Sequence, residues 1–133
     1  MYLRFITPLR SSVRGVNLGI FSGACECREY EEAPVWLKRA IQEELDFFNE
    51  KLPIPQESAF VVKSRKRLIS VGICWFKSDA IEMIRRAFAL RALLAEYGMF
   101  VTTIITDRPG QILYEDDFQI VAKPVASTPT HWG

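Results

Sequence analysis

The sequence predicts an α+β fold: a mostly antiparallel sheet of about four to six strands with two main helices packed on one face. Three observations predict it. Residues 78–98 read SDAIEMIRRAFALRALLAEYG, a long apolar run at helical spacing. Three strand-like runs follow, FVTTIIT, QILYE and FQIVAK. Turn signals at Asp107-Arg108-Pro109-Gly110 and Glu115-Asp116-Asp117 divide them into a C-terminal three-strand meander. Upstream, Leu37, Ile41, Leu45, Phe48 and Leu52 form one apolar helical stripe.

Taken in order, Tyr2–Thr7 alternates as a short strand that pairs with the meander. Leu3 and Phe5 lie on one face, Arg4 and Ile6 on the other, and Pro8 ends the strand. Leu9–Gly19, with Ser11, Ser12, Gly15 and Asn17, reads as a loop. Ile20–Tyr30 reads as a short helix weakened by Ser22 and Gly23. Pro34 opens the next helix, since a first-turn residue needs no N–H partner. Arg39, Glu43, Asp46 and Glu50 lie off its apolar stripe, and Pro53 and Pro55 stop it.

Ala59–Lys63 and Leu68–Phe76 have strand content, and the charged run Lys63–Arg67 suits a hairpin tip. A long ordered loop is the alternative. Ser78 is placed to cap the long helix, with Asp79 and Glu82 favoured in its first turn and Gly98 just beyond its end. Its apolar positions cover more than one stripe and predict burial on two sides.

The 133 residues support one domain, residues 1–124, with Pro/Ser/Thr-rich residues 125–133 as a flexible C-terminal tail. Apolar residues at 49% and charged residues at 25% are the balance of a globular protein. Net charge is +1, evenly shared along the chain, so no global field draws it to nucleic acid or anionic lipid. No secretory signal or membrane-length apolar run is present. Three cysteines, an odd count, fit reduced thiols and a cytoplasmic setting.

Chemistry is thinly written. Cys25, Cys27, Cys74 and His131 lack the paired spacing of a zinc site. A nucleophilic cysteine lacks a base other than His131, near the chain end. No cofactor, metal or catalytic residue is predicted. The acidic turns at Asp107 and Glu115–Asp117 are expected at opposite ends of the meander, roughly 15–20 Å apart. They read as turn chemistry.

Two candidate sites remain. Trp75 and Phe76 are more aromatic surface than one helix staple needs. With Lys77, Arg85 and Arg86 beside a helix N-terminus they form a candidate site for an anionic ligand. Lys63, Arg65, Lys66 and Arg67 form a weaker candidate for nucleic acid, without any nucleic-acid fold signature.

Ile73-Cys74-Trp75-Phe76-Lys77, the Ala/Arg/Leu-rich helix, Thr106–Gly110, and the runs Leu113-Tyr114 and Val121–Pro124 resemble small bacterial proteins without an assigned function, over residues 73–124. That resemblance implies a bacterial, cytoplasmic, single-domain setting and carries no activity across. The leading expectation is a non-enzymatic binding or protein-interaction domain, a homodimer, since nine Phe and three Trp exceed what one small core needs. A small enzyme or binding protein for an anionic metabolite is the first alternative. A nucleic-acid-associated protein is the second.

Overall fold

In the computed structural model, residues 1–10, 16–64, 67–70 and 72–130 are described, those of 62–64 and 67–70 by backbone alone. The elements are β1 (Tyr2–Arg10), β2 (Asn17–Gly19), α1 (Ile20–Glu29) and α2 (Val35–Lys51). A 3-10 turn (Glu57–Phe60), β3 (Val61–Ser64), β4 (Arg67–Ser70) and β5 (Ile73–Lys77) follow. The chain continues with α3 (Ile81–Tyr97), β6 (Thr102–Thr106), β7 (Gln111–Glu115) and β8 (Gln119–Lys123).

The fold is α+β, as expected. Six strands make one sheet with antiparallel pairings, and β3 and β4 form a separate two-stranded ribbon. Phe5 and Phe76 meet buried residues of α1, α2 and α3 in one cluster, so all three helices cover the same face. The opposite face carries a smaller cluster of Ile73, Trp75, Ile120 and Ala122.

The C-terminal segment supplies three successive strands. Of these, β7 and β8 are hydrogen-bonded neighbours, while β6 pairs with β1, giving the order β6-β1-β5-β8-β7. Thr106, Tyr2 and Lys77 align across the sheet. Asp107 ion-pairs with the N-terminal amine and Glu115 with Lys77. The two acidic turns therefore share one end of the sheet, not opposite ends. They remain about 19 Å apart, four strand spacings of about 4.8 Å.

The α2 stripe is as read, with Leu37, Ile41, Leu45 and Phe48 buried. Pro34 is the cap residue rather than the first helical one. Ser78 does not cap α3; Ala80 does, without a side-chain bond, because a turn at Ser78–Asp79 intervenes. One stripe of α3, Met83, Ala87, Leu90 and Leu94, is fully buried, while Ile81 and Phe88 stay exposed. Gly98 ends the helix at φ 96°, the left-handed conformation that favours glycine.

β1 runs past Pro8 because its pairing with β2 is irregular between Ile6 and Arg10. Proline is tolerated at such bulges. The expected hairpin forms: Ser64 faces Arg67 across a two-residue connection. Residues 125–130 bond back to the domain: the buried Thr128 donates from Oγ1 to the Arg108 carbonyl at 2.9 Å, and the Thr130 carbonyl accepts from Asn17 N–H at 3.2 Å.

Candidate functional site

The site follows from how β1 shares its two edges. Tyr2 and Leu3 pair with both β6 and β5, which therefore lie on opposite edges. Ile6 pairs with both β6 and β2, so β2 shares the β5 edge. The registers of β5 and β2 along that edge stop at Leu3 and resume at Ile6, leaving Arg4 and Phe5 between them. The sheet is parted there, and a cavity of about 650 Å³ opens at the parting.

Its walls come from most elements of the fold. Phe21, Cys25 and Arg28 enter from α1, and Leu45, Phe48 and Leu52 from α2 and its end. Pro53–Pro55 form a rim, tethered where Gln119 Nε2 donates to the Pro53 carbonyl at 2.6 Å. Residues 72–76 supply the β5 wall, with Lys123 and Pro124 beyond. Proline supplies no N–H, and a segment with two of them cannot continue α2 or join the sheet edge; it folds over the opening instead.

The lining is mostly apolar, and its charge is of one sign. Among the described residues Arg4, Arg28 and Lys123 line the cavity, and no Asp or Glu does. Arg28 Nη1 is held by Gln42 Oε1 at 3.1 Å and Nη2 lies 3.6 Å from Glu29. Arg4 differs. Its residue is only 9% exposed, Nη2 donates to the Asn17 carbonyl at 2.6 Å, and Nη1 is buried with no partner among the described residues. The indole Nε1 of Trp75, 1% exposed, is a second buried donor without a partner among them. Among the described residues no carboxylate forms an ion pair with Arg4.

Buried charge without a counter-charge is destabilising. Burial pushes the Arg4 guanidinium down to about 10, with the nearby Cys74 pulling the other way. At about 1.4 kcal/mol per pKa unit, the charged form costs the fold roughly 3 kcal/mol. Burial pushes the Cys74 thiol up to about 11, partly offset by Arg4 and reinforced by Asp116. Cys74 is open to the cavity but enclosed by its walls, so its exposed surface does not give it bulk solvation.

Trp75 and Phe76 both line the cavity, from opposite faces of β5. Phe76 packs edge-on against Phe5 and Phe21 in the helix-side cluster. Lys77, Arg85 and Arg86 do not line it. Lys77 pairs with Glu115, and that hydrogen bond holds its ammonium pKa up. Arg86 Nε donates to Glu44 at 2.7 Å and its guanidinium lies over Phe47. Arg85 is exposed. At the α3 start, the N–H groups of Ala80 and Ile81 are taken by the carbonyls of Lys77 and Asp79. The structure does not bring the five candidate residues to one place.

Of the basic run, Arg65 and Lys66 lie outside the described residues, as does His131, and the side chains of Lys63 and Arg67 are not described. Cys25 and Cys74 line the cavity, whereas Cys27 is buried in the helix-side core. Asp116 organises its turn: Oδ1 accepts from the N–H groups of Phe118 and Gln119 at 2.8 and 3.1 Å, and Oδ2 from Tyr114 Oη at 2.8 Å. Burial raises the Asp116 carboxyl, but these bonds outweigh it and hold it below its usual value.

Arg4 is the residue that motif-based reading passes over. Its signal is the alternation of β1, which places a cation on the same face as Ile6. Compared with family models, curated proteins and solved structures, the chain matches none of them.

Proposed function

We propose that this chain is a non-enzymatic binding protein that holds a small, largely apolar molecule in the cavity between β1, β5, α1 and α2. The observation that supports the reading is the cavity itself. Its volume of about 650 Å³ falls in the range of roughly 300–1,000 Å³ typical of ligand sites, and its apolar walls with few polar groups are typical of them too. Parting a sheet costs ladder hydrogen bonds, and a cavity this size forgoes packing contacts. A binding role accounts for retaining both. The free thiols of Cys25, Cys27 and Cys74 support a reducing, cytoplasmic setting, and among the described residues no helix is long and apolar enough to cross a membrane.

The test is fluorescence titration with N-phenyl-1-naphthylamine, an uncharged apolar probe. The expected result is saturable binding that weakens at least about tenfold in Cys74→Phe, where the new ring fills the cavity from a strand position suited to it. Binding unchanged by that substitution, or no saturable binding at all, would contradict the reading.

A second reading, the homodimer, has one observation in its favour. The outer edge of β6 pairs with no other strand among the described residues, and Ile105 on it is 56% exposed, with Phe88 of α3 at 43%. An apolar, unprotected edge is a template for strand pairing with a second copy. Native mass spectrometry of wild type and Ile105→Lys tests it: a dimer lost on substitution supports it, and a monomer throughout contradicts it.

A further inference from the structure

We propose that the molecule held in this cavity is an apolar monocarboxylate, an alkyl or aryl-alkyl acid, whose head is bound by Arg4 and Trp75. The proposal rests on the binding reading above and names its ligand class.

Three observations carry it. Among the described residues the cations lining the cavity, Arg4, Arg28 and Lys123, face no lining carboxylate, although Arg28 has Glu29 beside it, in a chain whose 17 basic and 16 acidic residues are otherwise balanced. Arg4 is nine-tenths buried with one terminal nitrogen bonded to Asn17 and the other, Nη1, unpartnered among those residues. Trp75, on the neighbouring strand β5, also lines the cavity, and its Nε1 is a second buried donor without a partner among the described residues. Buried donors in native proteins are nearly always paired, to protein groups or to water, so two such donors beside one cavity are places where a ligand acceptor can pair. Both are donors only, so the ligand group that pairs with them is an acceptor, and the fixed positive charge makes it an anion.

The surrounding chemistry sets the rest of the ligand. Phe21, Leu45, Phe48 and Leu52 offer nothing to a polar group, and the mostly apolar lining favours a hydrocarbon body. Arg4 is the buried cation of the three, and its single charge matches the single charge of a carboxylate head. In the free protein both donors are shielded from water, so binding requires the Arg4 guanidinium to turn towards the cavity. Side-chain rotations of this size are common on binding.

The experiment is competition against bound N-phenyl-1-naphthylamine by decanoate and by decanol, its uncharged counterpart, with calorimetric titration of decanoate alongside. In wild type, decanoate is expected to compete at a concentration at least tenfold lower than decanol. In Arg4→Met that preference should vanish, with decanol unchanged. Arg4→Lys, which keeps the charge, should retain part of it. Trp75→Phe, which keeps the ring and removes the N–H, should weaken decanoate alone by about threefold or more. Equal competition by decanoate and decanol in wild type overturns the carboxylate while leaving the apolar site standing. A decanoate preference that survives in Arg4→Met also overturns it, because the charge is then read elsewhere. If the probe does not bind but decanoate binds calorimetrically and needs Arg4, the head group stands and the uncharged-probe test of the cavity fails. If neither binds, both readings fall.

Discussion

Arg4 and Cys74 sit on adjoining strands at the parting of the sheet, and each perturbs the other. The Cys74 thiol, pushed up to about 11, is scarcely ionised at pH 8. Since the thiolate is the reactive form, alkylation of Cys74 by iodoacetamide at pH 8 should be about 100-fold slower than for a thiol at the ordinary value of 9.0. Arg4→Met should slow it further by removing the cation that favours the thiolate. Peptide mapping by mass spectrometry measures both rates. The sign for stability follows from the same shift. A thiol whose pKa is raised on folding contributes stability that is whole below about 9 and is lost as pH rises through about 11. Urea unfolding of wild type and Cys74→Ser at pH 8 and pH 10.5 should therefore show the larger alkaline loss in wild type. At this scale the sequence displays its anomaly openly, a cation among Leu3, Phe5 and Ile6, but the missing partner depends on which strands flank β1. No local pattern encodes that.

At the scale of elements, local signals worked where the pattern is long and its ends are marked. The α2 stripe, the α1 span and the Gly98 stop are all legible as periodicity and backbone chemistry. The sheet order was not. Strands in succession suggest neighbours, yet β6 crosses to β1 because Leu3, Phe5, Ile104 and Ile105 belong to a register with no trace in either segment alone. One glycine permits the close approach at the open end of the β7–β8 pair. Gly110 has φ 107°, and a Cβ there would lie 1.9 Å from the Lys123 carbonyl oxygen. Gly110→Ala should destabilise by at least about 2 kcal/mol, through both strain and displacement of the Gln111–Lys123 pairing. Denaturant titration checks it. Gly23 is different, being helical. Its absent Cβ lets α1 settle against Thr7 Cγ2 and Met99 Sδ, which a Cβ would approach to 2.7 and 2.8 Å. Gly23→Ala gains about 1 kcal/mol of helix propensity, but Thr7 is fixed by its bond to the Leu18 carbonyl and cannot yield. The net effect should be a loss of about 1–2 kcal/mol, read in the same titration.

At the scale of the molecule, the cavity is assembled from chain segments between residues 4 and 124. Trp75 and Phe76 were legible as a candidate site because two aromatics exceeded the needs of a helix staple. The cations proposed beside them were chosen by nearness in sequence, whereas the cations that share their cavity, Arg4, Arg28 and Lys123, come from distant parts of the chain. On the binding proposal above, the fold keeps a destabilising buried charge in order to bind an acid. One paired measurement tests it most directly: thermal unfolding of wild type and Arg4→Met, each with and without decanoate. Without ligand, Arg4→Met should melt at the same temperature as wild type or higher, since an apolar side chain replaces an uncompensated charge. Decanoate at 100 times the wild-type Kd should stabilise wild type by about 2.7 kcal/mol, a rise of roughly 8–10 °C, and the same concentration should stabilise Arg4→Met by about half of that or less. A variant that melts well below wild type yet gains as much from decanoate would contradict the account.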